Sequence, residues 1–384
     1  MIIAIIGESL NLNSGGVGTF IYDLCLGLVH RPEVKRVVLF GITTSSINDN
    51  PLIQNLIKNG VNIDSLNVPN RKEALLKFPL YVWKLKRKLK DLSNYDNVIC
   101  NCHLKLGTLY GSFASRHLKS VTCIETYHNT YHNYLLQCTV QRAFIKHYIC
   151  VSNAAKREMQ ERFKIPEKKI TAIPNAVDRN YLRKIGNINC NRVHEKTNVL
   201  VCGRLSYEKN ILTACNAFIK IKNDDIIFEI IGDGPQRKEL ETIIDGHSNI
   251  IYRGALQRNQ VLLELNKSDL VIIPSLWEGR SIFMLEASAF NTPFILSDCP
   301  GLREPFNESA LSQNERMRVC KYGYLVETND IDSYCEAISH FLSHNELHAS
   351  MRKAVEEMSL KNDISILVQK YMEVFNNAIA CNRP

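Results

Sequence analysis

Two carboxylates in the second half of the chain, Glu278 and Glu286, are separated by seven residues. A carboxylate accepts charge-assisted hydrogen bonds from sugar hydroxyls. If a helix begins near Ser281, the backbone N–H groups around Ile282 and Phe283 have no intrahelical partner and suit a phosphate. The spacing therefore predicts a site for a group that is part sugar and part phosphate. The plain alternative is that Glu278 is a solvated loop charge and that Glu286 only complements the helix dipole.

The segments around these residues predict the geometry that would hold them. An apolar run at 269–274 leads into the turn, a helical run follows it, and a second apolar run occupies 293–297. Strand, turn, helix and strand form one βαβ unit, so the sheet should be parallel here. Open parallel sheets bind ligands at the carboxyl ends of their strands, which is where Glu278 and Ser281 fall.

The pattern Glu-Gly-x-Ser-x-x-x-x-Glu-Ala, followed by Thr292-Pro293, resembles the Glu-x7-Glu signature of the retaining glycosyltransferases of family 4. The resemblance implies a GT-B fold, an α/β architecture of two Rossmann-like domains facing each other across a cleft. In that family the first glutamate contacts the donor sugar and the second binds the nucleotide ribose. It therefore implies a catalytic role for Glu278 and a donor-binding role for the residues after it: Gly279, Ser281, Ile282, Phe283 and Glu286.

A second motif follows the apolar run at 198–202. The segment 203–210, Gly-Arg-Leu-Ser-Tyr-Glu-Lys-Asn, resembles the Gly-Arg-Leu-x-x-x-Lys-Asn motif of family 4. Two cations at a strand end can neutralise a diphosphate and the charge that grows on it as it leaves. The resemblance gives Arg204 and Lys209 this catalytic and donor-binding role, and it places the backbone around Arg253 near the base. The alternative is that both cations are surface charges on a loop.

The first half of the chain matches the family more loosely. An apolar strand at 2–6 leads to a glycine-rich loop, which the resemblance places over the cleft with Gly16 as a donor-binding residue. A strand at 121–129 ends in a Thr-x-His pattern, in which the family's histidine faces the cleft. This pattern predicts a catalytic His128, with His132 as its competitor. A flexible turn at the glycines and a purely structural histidine are the alternatives.

The length of 384 residues is more than one core usually organises, so two domains are expected. The segment 173–178 resembles the interdomain Pro-Asn-Gly-Val-Asp of family 4, with Ala176 in place of the glycine. We predict an acceptor-binding domain over 1–178, a polar hinge at 180–196 and a nucleotide-sugar-binding domain over 179–363. As in other GT-B enzymes, a last helix at 364–380 is expected to pack back on the first domain.

The composition excludes several partners and cofactors. The 47 basic and 39 acidic residues leave a charge of +8, which suits anionic small molecules or an anionic membrane and is too diffuse for nucleic acid. The 13 cysteines are scattered through apolar runs and form no Cys-x-x-Cys pair. No Asp-x-Asp stands at a predicted strand end, so we expect neither a metal nor a cofactor. No signal peptide is apparent, which favours a cytoplasmic protein with reduced thiols.

The segment 77–92 has two chemically different sides. Apolar residues recur at spacings of four and three on one helical face: Phe78, Val82, Leu85, Leu89 and Leu92. Basic residues occupy the other side, among them Lys84, Arg87 and Lys88. A basic amphipathic helix can lie on an anionic membrane, which would place the protein peripherally on the inner face of the plasma membrane. The plain alternative is a helix that packs within the first domain, and the two interpretations are compatible.

These motifs together predict transfer of a sugar from a nucleotide-diphosphate sugar, with retention and without a metal. The expected acceptor is a saccharide, lipid-linked by preference, in bacterial-type surface polysaccharide synthesis. One rival is a Rossmann-type NAD-dependent oxidoreductase, although the dinucleotide fingerprint is missing at Gly7 and Gly232. A second rival is a non-catalytic, membrane-associated partner subunit, against which the intact set of predicted site residues argues.

Overall fold

The computed structural model describes residues 1–12, 15–44, 50–128, 143–185 and 195–381. The chain divides into two compact units. Unit 1 comprises Met1–Ala176 and Ile364–Pro384, and unit 2 comprises Val177–Asp363. Each unit is an α/β structure with its own sheet and its own hydrophobic core.

Unit 1 contains a parallel sheet in the order β3-β2-β1-β4-β5-β6-β7. Its strands are β1 (Ile2–Ser9), β2 (Arg36–Thr43), β3 (Asn62–Val68), β4 (Val98–His103), β5 (Val121–Tyr127), β6 (His147–Cys150) and β7 (Ile170–Ala172). Its described helices up to residue 176 are α1 (Gly16–Val29), α2 (Pro51–Lys58), α3 (Arg71–Leu76), α4 (Phe78–Ser93), α5 (Leu104–Ser115) and α6 (Asn153–Glu161). The central strands β1, β2, β4 and β5 are buried along most of their length, as expected where helices cover both faces of a parallel sheet.

Unit 2 repeats this plan in the order β10-β9-β8-β11-β12-β14-β13, with only the β13–β14 pair antiparallel among its described strands. Its strands are β8 (Thr197–Cys202), β9 (Ile226–Ile231), β10 (Ile250–Gly254), β11 (Leu270–Ile273), β12 (Phe294–Ser297), β13 (Met317–Cys320) and β14 (Gly323–Val326). Its described helices are α7 (Arg179–Ile185), α8 (Ile211–Ile221), α9 (Arg237–Ile244), α10 (Arg258–Lys267), α11 (Ile282–Ala289), α12 (Pro300–Arg303), α13 (Ile331–Ser343) and α14 (His348–Lys361). The βαβ unit predicted around Glu278 is confirmed as β11, α11 and β12, because β11 and β12 are adjacent and parallel.

The last helix, α15 (Ile364–Ala380), belongs to unit 1 and packs on α1. Gly27 permits this approach, since a Cβ there would lie 2.4 Å from Cγ2 of Val368. Further along the helix, Tyr371 is fully buried, and its hydroxyl lies 3.3 Å from Oγ1 of Thr126 on β5. The helix that ends the described chain is therefore part of the fold of unit 1.

The predicted hinge at 180–196 is partly wrong, because its first residues form helix α7 within unit 2. Asp178 accepts a hydrogen bond from the backbone N–H of Tyr181 at 2.9 Å, which stabilises the start of this helix. Arg179 pairs with Glu356 at 2.6 Å, and this pair fixes the helix to α14. Residues 186–194 of the predicted hinge lie outside the described residues.

Helix α4 corrects the interpretation of segment 77–92. Leu85 and Leu89 are buried in the core of unit 1, and the other predicted apolar residues pack against it. The predicted apolar face is therefore a packing face that is not available to a membrane. The outward side instead carries Leu80 and Trp83, which are 47% and 52% exposed. No helix of the described ranges is long and apolar enough to cross a bilayer.

Both sheets reverse their strand order near the middle, between β1 and β4 in unit 1 and between β8 and β11 in unit 2. The loops that follow two such strands diverge and leave a crevice at the carboxyl edge of the sheet, where ligands bind. In unit 2 this crevice lies between the loop after β8 and the turn after β11. Both predicted motifs of the second half, at 203–210 and 278–286, occupy these two positions.

Candidate functional site

The turn after β11 holds Glu278 in a defined position. Its Oε1 accepts a hydrogen bond from Ser275 Oγ at 3.0 Å. The turn packs closely on α12, because a Cβ at Gly301 would lie 2.1 Å from the carbonyl oxygen of Glu278. Only 8% of the Glu278 side chain is exposed. The carboxylate predicted to contact the donor sugar is thus anchored rather than solvated.

The loop after β8 brings Lys209 to the same carboxylate. Lys209 Nζ forms an ion pair and hydrogen bond with Glu278 Oε1. The two segments are also joined through the backbone, since the N–H of Leu276 donates to the carbonyl oxygen of Glu208 at 2.9 Å. The reversal of strand order therefore places the cation of one motif against the first carboxylate of the other.

The pairing keeps Lys209 charged. Desolvation lowers the pKa of its ammonium, but the charge and hydrogen bond of Glu278 outweigh this effect and raise the pKa above its ordinary value. Two thiols nearby stay neutral: burial together with the charge of Glu286 raises the pKa of Cys202 to about 12, and burial with Glu278 does the same for Cys299. The local charges at neutral pH are thus those of carboxylates and cations.

The second carboxylate has a partner that the motifs did not indicate. Glu286 Oε1 accepts a hydrogen bond from Arg258 Nε at 2.8 Å, and each side chain is only 8% exposed. Arg258 is the first residue of α10, and its guanidinium lies 6.0 Å from the ring centroid of Tyr181. Sequence reasoning missed it because α10 carries no motif and lies 28 residues before Glu286.

The start of α11 lies between the two carboxylates. Ser281 is its N-cap, and Ser281 Oγ accepts a hydrogen bond from the backbone N–H of Met284 at 3.2 Å. The serine hydroxyl therefore serves the helix, while Ile282 and Phe283 occupy the first turn, whose N–H groups have no partner inside the helix. Gly279 precedes them in the turn. N–H groups without an intrahelical partner at a helix start can bind a phosphate.

Arg280, in the middle of the signature, anchors the turn. It is 7% exposed, and its Nη2 donates to Asn362 Oδ1 at 2.5 Å. Burial lowers the pKa of Arg280 to about 10, so the guanidinium remains charged at neutral pH. Its spacing in the motif gave no indication of this structural role.

The two remaining predicted residues of unit 2 lie in different settings. Arg204 is exposed in the loop after β8, in the same loop as Lys209. Arg253 lies on β10, the edge strand, and its side chain pairs with Glu229 on β9 at 3.1 Å. The side chain of Arg253 is thus occupied by a neighbouring strand, which leaves only its backbone for the predicted contact with a base.

Unit 1 places its predicted residues at the carboxyl edge of its own sheet. Gly16 is the first residue of α1, after the N-cap Gly15, whose φ of 89° suits glycine. His128 directly follows β5 and is 6% exposed. Its Nε2 lies 2.8 Å from Nδ1 of His103, the last residue of β4. The competitor His132 lies outside the described residues.

One group of described side chains brings three potential metal ligands together. The Sγ atoms of Cys100, Cys102 and Cys123 lie within 4.8 Å of one another in the core of unit 1. All three are buried on adjacent strands, and burial raises the pKa of Cys102 well above that of a free thiol. They pack as small apolar groups, as expected for cysteines on buried strands.

Two family models match most of the chain. Residues 189–358 match the family model "Glycosyl transferases group 1" and residues 14–181 match "Glycosyltransferase Family 4". A relative from Escherichia coli, UDP-Gal:alpha-D-GlcNAc-diphosphoundecaprenol alpha-1,3-galactosyltransferase, is 29% identical over 292 residues, which cover 68% of this chain and 69% of the relative. The N,N'-diacetylbacillosaminyl-diphospho-undecaprenol alpha-1,3-N-acetylgalactosaminyltransferase of Campylobacter jejuni is 24% identical over 49% of this chain and 46% of its own.

Solved structures show the same fold. The Anabaena protein HepE in complex with UDP-glucose aligns with a TM-score of 0.76 and 15% identity over 98% of this chain and 100% of its own. A glycosyltransferase from Rickettsia africae aligns with a TM-score of 0.75 and 16% identity over 98% of each chain. The predicted GT-B fold and the resemblance to family 4 are both confirmed. The chain belongs to glycosyltransferase family 4, and it is a GT-B glycosyltransferase.

Proposed function

We propose that this glycosyltransferase moves a sugar, with retention, from a nucleoside-diphosphate sugar to a lipid-linked saccharide in bacterial surface polysaccharide synthesis. The convergence of Lys209 and Glu278 at the strand-order reversal of unit 2 carries the donor part of the proposal. The acceptor part is supported by the Escherichia coli and Campylobacter jejuni relatives, whose names specify saccharides attached to diphosphoundecaprenol.

Donor binding follows from the charges in unit 2. Arg204 and Lys209 would neutralise the diphosphate, and the N–H groups at the start of α11 would add hydrogen bonds to it. Glu286, held by Arg258, would accept hydrogen bonds from the ribose hydroxyls, and Glu278 would accept them from the transferred sugar. The backbone near Arg253 and the N-terminus of α1 at Gly16 are the remaining proposed donor-binding groups.

In the reaction, the bond between the anomeric carbon and the diphosphate oxygen breaks. Negative charge then grows on the leaving diphosphate, and the two cations stabilise this charge more than that of the bound donor. The acceptor hydroxyl attacks the same face of the sugar that the diphosphate leaves, and its proton passes to a diphosphate oxygen. We propose that this needs no metal, because Arg204, Lys209 and the helix amides supply the positive charge.

Glu278 is proposed to orient the sugar rather than to attack it. The contacts of its Oε1 with both Lys209 and Ser275 support this orienting role, because they hold the carboxylate in place. His128 in unit 1 is proposed as the second group that contacts a sugar hydroxyl. With these roles, retention arises from same-face attack without a covalent intermediate.

Peripheral attachment to an anionic membrane is proposed through an apolar patch on unit 1. We define this apolar patch as Leu75, Leu76, Leu80 and Trp83, which are 64%, 78%, 47% and 52% exposed. Single exposed apolar side chains are ordinary, but four within nine residues of the sequence are more typical of an interface. Such a patch would bring the enzyme to an acceptor whose lipid stays in the bilayer.

Two exposed cations of α4 are proposed to supply the complementary charge for anionic lipids. The guanidinium of Arg87 lies 5.0 Å from the ring centroid of Trp83, and the ammonium of Lys84 lies 5.1 Å from that of Tyr81. Lys88 is less available, because it pairs with Asp64 at 2.7 Å. Each cation near such a surface contributes about 1 kcal/mol of attraction.

A screen of donors and acceptors tests the proposal. Purified protein is incubated with single nucleoside-diphosphate sugars and with diphosphoundecaprenol-linked saccharides, and transfer is detected as a mass increase of the acceptor. The proposal expects one donor to be consumed in the presence of chelator and the α-linkage of an α-linked donor to be kept. Inversion of the linkage would reject the retaining mechanism. Transfer that occurs only with a divalent cation would reject the metal-free mechanism.

A further inference from the structure

We infer that His103 is a positioning residue that fixes the tautomer of His128, so that His128 is protonated on Nε2 and offers the lone pair of Nδ1 to a sugar hydroxyl. The inference rests on the proposed function, in which His128 contacts a sugar. His103 lies in none of the motifs that indicated the site.

A chain of hydrogen bonds connects Asn101, His103 and His128, and its donors and acceptors can be assigned from Asn101, which is completely buried on β4. Its Nδ2 lies 3.5 Å from the carbonyl oxygen of Ile124 and 3.0 Å from Thr126 Oγ1, both on the neighbouring strand β5. A carbonyl oxygen only accepts, so the amide group that faces Ile124 is the NH2 group. The amide oxygen of Asn101 therefore faces the other way, toward His103, with Oδ1 2.8 Å from Nε2 of that ring.

Each step along the chain of hydrogen bonds then has one solution. The amide oxygen of Asn101 carries no proton, so His103 Nε2 donates to it. A neutral imidazole has a single N–H, so His103 Nδ1 is an acceptor. Its neighbour at 2.8 Å is His128 Nε2, which must be the donor. In the neutral ring of His128 the lone pair is consequently on Nδ1.

The surroundings keep both rings neutral. His103 is completely buried and His128 nearly so, and the ring of Phe20 lies edge-on to His128 with centroids 5.0 Å apart. Burial lowers the pKa of His103 well below its ordinary range and lowers the pKa of His128 to about 3. With both rings neutral, the identity of the protonated nitrogen decides whether His128 donates or accepts.

The consequence concerns substrate orientation. A sugar hydroxyl that meets His128 Nδ1 must donate its proton to this nitrogen, so its oxygen lone pairs remain available to other groups. The opposite tautomer would reverse that hydrogen bond. A fixed tautomer therefore selects one orientation of the hydroxyl before the sugar binds, which is a form of preorganisation.

Nuclear magnetic resonance of the full-length protein labelled with ¹⁵N-histidine tests the tautomer directly, and it needs no substrate. We expect wild-type His128 to show a neutral ring with the proton on Nε2. His103→Asn should keep this pattern, because the asparagine oxygen can accept from His128 in place of Nδ1. His103→Leu should lose it and show a mixture of tautomers. His30→Gln, at an exposed position after α1, is the control for assignment.

Kinetics supply the second readout. Loss of one oriented hydrogen bond corresponds to a turnover loss of up to about tenfold, so His103→Leu should lower kcat by about that factor and leave the donor KM unchanged. His103→Asn should restore most of kcat. A wild-type His128 protonated on Nδ1, or an unchanged tautomer in His103→Leu, would overturn the inference. Absence of any transfer by the wild type would instead reject the proposed function, while the spectra would still decide the tautomer.

Discussion

Arg258 Nε lies 2.8 Å from Glu286 Oε1, and each of the two side chains is only 8% exposed. The arginine begins α10 and the glutamate lies in α11, so the pair connects two helices on one side of the unit 2 sheet. The carboxylate proposed to bind the ribose is thus already oriented by a cation. A substitution of Glu286 is therefore expected to change the stability of the protein as well as its affinity for the nucleotide.

Replacing Glu286 should affect both properties. Glu286→Ala leaves Arg258 buried without its anion, so we expect the free energy of unfolding to fall by about 3–5 kcal/mol. Glu286→Gln keeps an oxygen for Arg258 and should be the more stable variant. In it, nucleoside diphosphate binding should weaken by about 1.5–3 kcal/mol through loss of a charged hydrogen bond. Urea unfolding and calorimetric titration measure the two effects separately. Wild-type affinity in folded Glu286→Gln would remove this residue from the nucleotide site.

Glu278 should behave differently because it is proposed to contact the transferred sugar. Glu278→Gln keeps an oxygen for Ser275 and should leave the affinity for free nucleoside diphosphate unchanged. Turnover should fall by about one to two orders of magnitude, from the loss of a charged hydrogen bond of about 1.5–3 kcal/mol. Steady-state kinetics beside calorimetry provide the comparison. If Glu278→Gln weakens nucleotide binding as much as Glu286→Gln does, the separate roles of the two carboxylates are wrong.

The two cations should be needed for turnover, and Lys209→Ala should in addition lower the free energy of unfolding, because it leaves the buried Glu278 without its cation. Arg204→Ala and Lys209→Ala should each reduce kcat strongly, because both stabilise the leaving diphosphate, and a chelator should have little effect. Lys220→Ala, which removes an exposed cation of the same unit, is the control. Circular dichroism checks that the variants are folded. Activity that disappears with chelator and returns with a divalent ion would contradict the metal-free proposal.

The βαβ unit around Glu278 could be predicted from the sequence, because its motif, its turn and its two apolar runs follow one another directly along the chain. The resemblance to family 4 implied that both second-half motifs serve one donor, and the structure places both at the carboxyl ends of parallel strands. The sequence did not reveal Arg258 or His103, because each pairs with a residue at least 25 positions away on another element. Nor did it indicate the antiparallel strand β13 or the helical start of the predicted hinge. These depend on tertiary packing, which periodicity does not report.

The membrane proposal depends on which surface is exposed. Leu76→Asp/Trp83→Asp should reduce sedimentation with anionic liposomes, and the binding that remains should weaken as salt rises, because the cations are still present. Lys84→Glu/Arg87→Glu/Lys88→Glu should also reduce sedimentation, and its remaining binding should depend little on salt. The matched control is Lys119→Glu/Lys168→Glu/Lys370→Glu, which changes charge equally at exposed positions of unit 1. Equal loss in the control would show that only net charge matters. Full binding by both patch variants, or no binding by the wild type, would exclude this surface.

The buried histidines predict an acid-sensitive unit 1. The pKa of His128 is about 3 in the folded state, below the ordinary 6.5, so the unfolded chain binds the extra proton between these values. Stability should therefore be complete above pH 6.5 and decline as the pH falls toward 3, by about 2 kcal/mol between pH 7 and pH 5 from this group. Urea unfolding at the two pH values measures it. His128→Gln, which does not titrate, should lose correspondingly less, and an identical loss would contradict the assignment.

The central claim is that the Lys209–Glu278 pair and Glu286 form a donor site for a nucleoside-diphosphate sugar. The most direct measurement is the release of nucleoside diphosphate from a panel of such sugars by the wild type, Lys209→Ala and Glu278→Gln, with chelator present and a diphosphoundecaprenol-linked saccharide as acceptor. The account predicts release from one donor by the wild type, coupled to a mass increase of the acceptor, and strongly reduced release by both variants. Release that both variants retain in full, or no release from any donor by folded wild-type protein, would contradict it.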